Sequence, residues 1–450
     1  MNTKLVTLLL SAFILASCGG SQERPFSSHT PEGVVFTDEK GISYEQFEDG
    51  WHITDYLGND KNIIIPESKT QEGLTLNVTK IEDNAFYGRS VLEGIDLPST
   101  LTTIGEKAFY GTKLNSFYGT VNLERVADNA FEETPFLKNE KGPILYLPTR
   151  DNPNCIAYKQ LSKPNRIAVP VGLERVMDGA FEGASFNEDN PVFSSLKYIG
   201  NKGFYGCAFA YTVTLPEALY IGDEAFSGIP FGEVTLPKVE RLGKDVFKND
   251  TFLSNVALPK TLTSIGEGAF TNCTGMKNLS LPFLGPNEKE GKGLNYLFGN
   301  LEEVIIDHMS EKYKLEFDIL DIQGGKIIQS NLFGTIFGAK KLILRNIYEI
   351  PASAFESNVP VEELILDGVT QIGYAAFYRH NMKYVYIAKN VLRFGERSFY
   401  GLSAYQMDFG KDIFTVEEYK SVKEYNMTTF DVGENVTFKY NVPNPLETNA

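Results

Sequence analysis

One phrase recurs along the chain and limits its possible folds more than any other feature. It runs aliphatic residue, usually glycine, two polar residues, then Ala-Phe, often with glycine two places further on. It reads Ile81-Glu-Asp-Asn-Ala85-Phe86, then Ile104-Gly-Glu-Lys-Ala108-Phe109. It returns at Val126 with Phe131, Val176 with Phe181, Ile199 with Phe204, Ile221 with Phe226, Leu242 with Phe247 and Ile265 with Phe270. After a gap it resumes at Ile350 with Phe355, Ile372 with Phe377 and Phe394 with Phe399. Adjacent leading residues are 21 to 23 apart, a register that marks a repeat array.

A second phrase lies five or six residues upstream and ends in proline: Ile95-Asp-Leu-Pro98, Ile167-Ala-Val-Pro170, Val213-Thr-Leu-Pro216 and their counterparts ending at Pro237, Pro259 and Pro282. Its apolar/polar alternation predicts a short strand with one face in the core. Proline has no N–H to give to a ladder and marks the strand's end. Each repeat therefore offers one strand and one turn or single helical turn, too little to bury its own apolar face. Stacking the repeats at about 4.8 Å places the strands side by side over a continuous core. Every Phe then falls in one interior column, with the small Ala beside it. That column accounts for 32 Phe against a single Trp. The glycine after the leading aliphatic residue suits a position of unusual φ or of close backbone approach.

Read together, Leu-x-x-Ile-x-Leu-Pro followed by Ile-Gly-x-x-Ala-Phe-x-Gly resembles the BspA-type leucine-rich repeats of bacterial surface proteins, over roughly residues 60 to 402. The asparagine ladder of commoner leucine-rich repeats is missing. The resemblance implies a leucine-rich-repeat solenoid, a β-rich right-handed superhelix with short helical turns. It also implies display at the cell surface and binding of host or neighbouring-cell proteins.

The first residues read as an address. Lys4 gives a positive start, Leu5 to Phe13 an apolar stretch too short to span a bilayer, and Leu15-Ala-Ser-Cys18 looks like a lipobox. The organisation expected is a lipoprotein signal peptide at 1–17, a tether lipidated on Cys18 at 18–25, an N-terminal cap with a degenerate first repeat at 26–75, the solenoid at 76–402 and a C-terminal cap at 403–450. Later segments show no apolar run long enough to cross a membrane, so the anchor is the only membrane contact expected. Two irregularities interrupt the period: a degenerate repeat carrying a Pro/Asn-rich loop at 149–155, and a polar loop at 285–293 that is expected to protrude. Leu145-Tyr-Leu-Pro148, Val304-Ile-Ile306 and Leu342-Ile-Leu344 still read as strands, and Phe298 and Phe333 as anchors of the Phe column.

The formal net charge of −16 and the lack of a basic run argue against nucleic acid as a partner. Cys207 and Cys273 share one column three repeats apart, roughly 14 Å at the strand spacing, too far for a disulfide. Cys155, in the irregular loop, reads as a free thiol. His29, His52, His308 and His380 are scattered, and no metal, nucleophile or phosphate-loop motif is present. No enzyme activity, cofactor or metal is expected. Tyr87, Tyr110, Tyr205, Tyr378 and Tyr400 each follow the repeat Phe. They form either a partial binding stripe or rings packed over neighbouring turns. The function expected is an adhesin-like envelope lipoprotein in the outer membrane, surface-exposed, binding a protein or glycoprotein. A periplasmic scaffold or envelope assembly factor, or a carbohydrate-capture component, are the alternatives.

Overall fold

In the computed structural model both halves of the repeat form strands, where the sequence predicts one. The structure describes residues 33–163, 166–187, 192–208, 212–299, 315–326, 337–355, 361–378, 382–399, 406–409, 437–439 and 442–447. Cys18, Tyr400, His29, His308, His380, residues 304–306, Phe333 and most of 403–450 lie outside them. The fold is a β-solenoid of about 12 turns with little helix. It divides into two units. The first holds residues up to Ile95 with 103–116 and 127–138, and the second holds 96–102, 117–126 and everything from 139.

The first unit opens with the strands Val35–Thr37, Ile42–Phe47 and Gly50–Tyr56 paired antiparallel. The last of these pairs in parallel with Leu74–Ile81, which pairs in turn with Thr103–Ile104. The three antiparallel strands form a meander. Trp51 is fully buried in it, and its Nε1–H donates to Lys69 O at 2.9 Å. Ile63 and Ile65 are buried while Ile64 is exposed. Phe86, Phe109 and Phe131 stack at 5.2 and 5.4 Å between centroids.

In the second unit a first ladder starts from an antiparallel hairpin, Ile144–Leu147 with Ile156–Gln160. It continues in parallel through Arg175–Val176, Tyr198–Ile199, Tyr220–Ile221, Arg241–Leu242 and Ser264–Ile265. These two-residue strands end on the repeat's leading aliphatic residue. A second ladder carries the proline-terminated strands, Thr212–Thr214, Glu233–Thr235, Asn255–Ala257 and Asn278–Leu281, and runs on through longer strands such as Phe337–Arg345 to Thr437–Lys439. The third side is no helix. Phe204, Phe226 and Phe247 each donate their backbone N–H to the residue just before the next repeat's Phe, at 3.0, 3.0 and 2.9 Å.

In-register stacking sets every residue on its counterpart one repeat away, Ile199 on Ile221 and Leu242 on Ile265. The Phe column follows directly: Phe204, Phe226, Phe247 and Phe270 lie 5.4, 5.9 and 5.7 Å apart with planes within 6° of parallel. All four are fully buried, each contributing on the order of 2–3 kcal/mol of hydrophobic burial. Phe298 extends the column at 5.7 Å.

Helical turns are few because two positions per repeat are left-handed. The residue three after the leading aliphatic is one: Lys202, Glu224 and Asp245 have φ of 54°, 54° and 52°. The glycine after Ala-Phe-x is the other, as at Gly206 and Gly228. Left-handed residues four apart block a right-handed helical turn. Among the described residues only Pro135–Lys138 and Leu294–Phe298 are α-helical. The glycine after the leading aliphatic residue serves the other expected purpose, close approach. A Cβ on Gly266 would sit 2.3 Å from the Gly243 carbonyl carbon.

A polar ladder also runs along the turn side. Asp178 Oδ1 accepts from Asn201 N at 2.7 Å, Asn201 Oδ1 from Asp223 N at 2.8 Å, and Asp223 Oδ1 from Lys244 N at 2.7 Å. Side chains that read as a solvated face in sequence thus cap backbone N–H groups of the next repeat. In loop 285–293, residues 288–290 and Lys292 are exposed. Its base extends the first ladder's hydrogen bonding, Ile265 N donating to Pro286 O. Loop 149–155 is the hairpin's turn, tied by Arg150 to Asp96 and by Asn152 Nδ2 to Gly172 O. On the outward face of the second ladder, Val442 and Leu446 pack over Ile343, Ile365 and Tyr386.

Candidate functional site

The first ladder's strands are two residues long, so the leading aliphatic side chain points inward and the residue before it points out. In register those outward residues are Arg175, Tyr198, Tyr220 and Arg241. At the strand spacing the row spans roughly 14 Å between its two arginines. The Arg175 guanidinium lies 3.9 Å from the centroid of Tyr198, and that of Arg241 5.8 Å from Tyr220. Each cation therefore leans inward over the ring on the next rung, where the negative face of the aromatic attracts it.

These residues line a cavity of about 530 Å³ within the second unit. Its floor includes Gly200, where a side chain is excluded by the chain beneath, since a Cβ would approach Met177 carbonyl carbon at 2.9 Å. Glu124, Asp178 and Glu240 stand at the rim, all exposed, together with Arg125. Arg175 is different: only 7% exposed, it forms no ion pair among the described residues. Its Nε–H donates to Val121 O at 3.1 Å. Burial pulls its pKa below the ordinary arginine value, with Tyr198, Glu124 and Cys155 acting the other way; a guanidinium nonetheless stays charged. A buried charge that forms no ion pair is costly, and in a concave site such a group is a candidate for a functional role.

Four of the tyrosines singled out from sequence fall among the described residues. Tyr87 and Tyr110 stack at 4.9 Å within the first unit, and Lys107 lies over Tyr110. Tyr205 is half-buried beneath Lys202. The same position is Glu182 in the preceding repeat and Ser227 in the following one, so no stripe continues through it. Tyr378 is half-buried. Cys155, expected as a loop thiol, is buried at the start of the hairpin's second strand, and burial pushes it up to about 11. Cys207 and Cys273 donate to Phe181 O and Phe247 O, and all three cysteines are free. His52 is buried, its ring nitrogens 2.7 Å from Glu82 and 2.8 Å from Asp49. Among the described residues no group of His, Cys, Asp and Glu is placed to hold a metal ion.

Residues 67–143, 154–254 and 323–441 match the BspA type leucine rich repeat region, in six copies. The chain belongs to the BspA-type leucine-rich-repeat family. Proteins built from this repeat are generally non-catalytic binding modules. No curated protein matches the chain. Among solved structures, a leucine-rich repeat protein from Bacteroides ovatus is 18% identical with a TM-score of 0.23, covering 92% of this chain and 100% of its own. A leucine rich cell surface protein from Faecalibacterium prausnitzii is 17% identical at 0.22, covering 88% and 98%. Pneumococcal vaccine antigen PcpA is 18% identical at 0.20, covering 85% and 83%. The family assignment rests on the repeat match, not on these scores. Within this BspA-type repeat, the outward row was overlooked in sequence because its members recur once per period. Aligning the repeats on their leading residue and reading the position before it recovers Arg175, Tyr198, Tyr220 and Arg241.

Proposed function

We propose that the protein is a lipid-anchored module of the bacterial cell envelope, exposed at the outer surface, that binds a protein or glycoprotein through the Arg175–Tyr198–Tyr220–Arg241 row and catalyses nothing. The observation that carries the binding role is Arg175, a buried guanidinium that faces a cavity and forms no ion pair among the described residues. Aromatic and arginine side chains in a desolvated pocket are the usual energetic centre of a protein interface. A sugar-capturing platform fits less well. Tyr198 and Tyr220 each have a guanidinium over the ring, and Trp51 is sealed in the core. The anchoring role is supported by the Lys4 to Cys18 segment, whose thiol stands where a lipid is attached in bacterial lipoproteins.

Protease treatment of intact cells tests the reading. Loss of the full-length protein while a periplasmic control survives is the expected result. Complete protection would overturn surface display and favour the periplasmic scaffold. Cys18→Ala should release the protein from washed membranes, and its retention there would refute the lipid anchor.

A further inference from the structure

Resting on that binding role, we propose that the row seats a single carboxylate of a protein partner, with Arg175 as the seat and Arg241 closing from the far end. The chain has 58 acidic against 42 basic side chains, and many of its exposed cations are paired. Lys197 meets Glu174 at 2.8 Å and Lys238 meets Glu217 at 2.7 Å. The buried Arg175 forms no such ion pair among the described residues despite that surplus of acids, Glu124 acting on it only from the rim.

Its geometry selects the ligand. One face of the guanidinium is covered by Tyr198, and Nε is spent on Val121 O. What remains is the end of the fork, the pair of terminal nitrogens that matches the two oxygens of a carboxylate. Arg241, drawn over Tyr220, supplies a second cation on the same row. The rim carboxylates Glu124, Asp178 and Glu240 set the charge limit. A phosphate dianion or a run of acidic residues would meet three like charges, whereas one carboxylate with neutral or basic neighbours would pair with both the seat and the rim. The covered ring faces leave little aromatic surface for a sugar to stack on, which favours a peptide carboxylate over an acidic glycan.

The test pans a random-peptide display library on the immobilised full-length protein, on Arg175→Gln and on Arg241→Gln. Arg241 is exposed, so its substitution leaves the fold intact even where Arg175→Gln does not. Enriched peptides should carry one Asp, Glu or free C-terminus flanked by neutral or basic residues. A synthetic peptide from that set should bind about tenfold or more weaker to either variant, as the loss of a charge-assisted hydrogen-bonded pair implies. Replacing its acidic residue by the amide should cost as much. Amidating its C-terminus separates a chain terminus from a side chain as the source.

Enrichment of acid-free peptides, of acidic runs, or of nothing would overturn the proposal. So would affinity unchanged in both variants. Binding to an acidic glycan on an array, abolished by Arg241→Gln, would keep the row as the binding face and overturn the peptide carboxylate. Surface display stands or falls separately, on the intact-cell digestion.

Discussion

Asp250 gives the sharpest test of how this core tolerates polarity. It lies eight residues after Leu242, in the column that holds Cys207 and Cys273. Its side chain is fully buried. Oδ1 accepts from Phe252 N and Leu253 N at 3.1 and 3.0 Å, and Oδ2 from Phe231 N in the preceding repeat at 3.0 Å. Burial outweighs those three donors and pushes the carboxyl up to about 6. The folded state therefore holds its proton between about pH 4, where an unfolded aspartate titrates, and pH 6. Stability from this group is full below pH 4 and falls as pH rises to 6. At about 1.36 kcal/mol per tenfold, a gap of about two pH units is worth roughly 3 kcal/mol. Asp250→Asn removes the titration, keeps an acceptor for Phe252 and Leu253, and turns an N–H₂ towards Phe231 N. The last contact costs about 1–3 kcal/mol at every pH. Urea-unfolding midpoints of both proteins from pH 4 to 7.5 isolate the effect in their difference. Wild type should lose ground to the variant as pH rises through 6 and then level off. A flat difference, or one that favours wild type at higher pH, would refute the reasoning.

Glu82 in the first unit should respond with the opposite sign. Burial pushes it up, but hydrogen bonds from His52 and Lys80 outweigh that and hold it below the ordinary glutamate value. Its contribution is present above that ordinary value and is lost as pH falls through the lowered one. Melting temperatures under acid should show this, with Glu82→Gln shallower than wild type and an equal slope counting against it. Gly266→Ala forces a methyl to within 2.4 Å of the Gly243 and Lys244 backbone, so a loss of about 2 kcal/mol or more is expected. Gly228→Ala meets nothing within 4 Å and strains only a φ of 75°, for about 1–2 kcal/mol. Chemical denaturation ranks the two, and the reverse order would sink the close-approach account. Cys155, Cys207 and Cys273 are buried, and burial pushes the first two thiols up to about 11 and about 12 and raises the third as well. They should resist iodoacetamide in the native protein and react fully in denaturant; one fast native thiol would contradict their placement.

The Phe column was legible because a fully buried, large side chain tolerates few substitutes at its position, so its period survives in the sequence. The proline-terminated strands were legible through their alternation. A two-residue strand such as Tyr220–Ile221 has no alternation to read, and the first ladder went unrecognised for that reason. Left-handed turn positions were hidden by their occupants. Lys202, Glu224 and Asp245 carry no compositional signal for positive φ, being held there by backbone hydrogen bonds such as Lys202 N to Asp223 O at 2.8 Å and Glu224 N to Lys244 O at 2.8 Å. Asp178, Asn201 and Asp223 read as exposed polarity for the same reason, because what they satisfy lies one repeat away.

The candidate site follows this logic. Stacking turns residues 23, 22 and 21 apart in sequence, Arg175, Tyr198, Tyr220 and Arg241, into neighbours on adjacent strands. No local motif can announce such a group, and core periodicity is blind to a position that faces away from the core. The irregular repeat then decides where the row becomes a pocket. The hairpin restarts the ladder one rung before Arg175, and its outward residue there, Ile156, is fully buried. Beside it, Val121 O accepts from the Arg175 Nε–H. Further along, Ser264 ends the row with a small side chain. The irregular stretch between Val126 and Val176 thus sets a hairpin strand beside Arg175, where a regular array would set one more repeat.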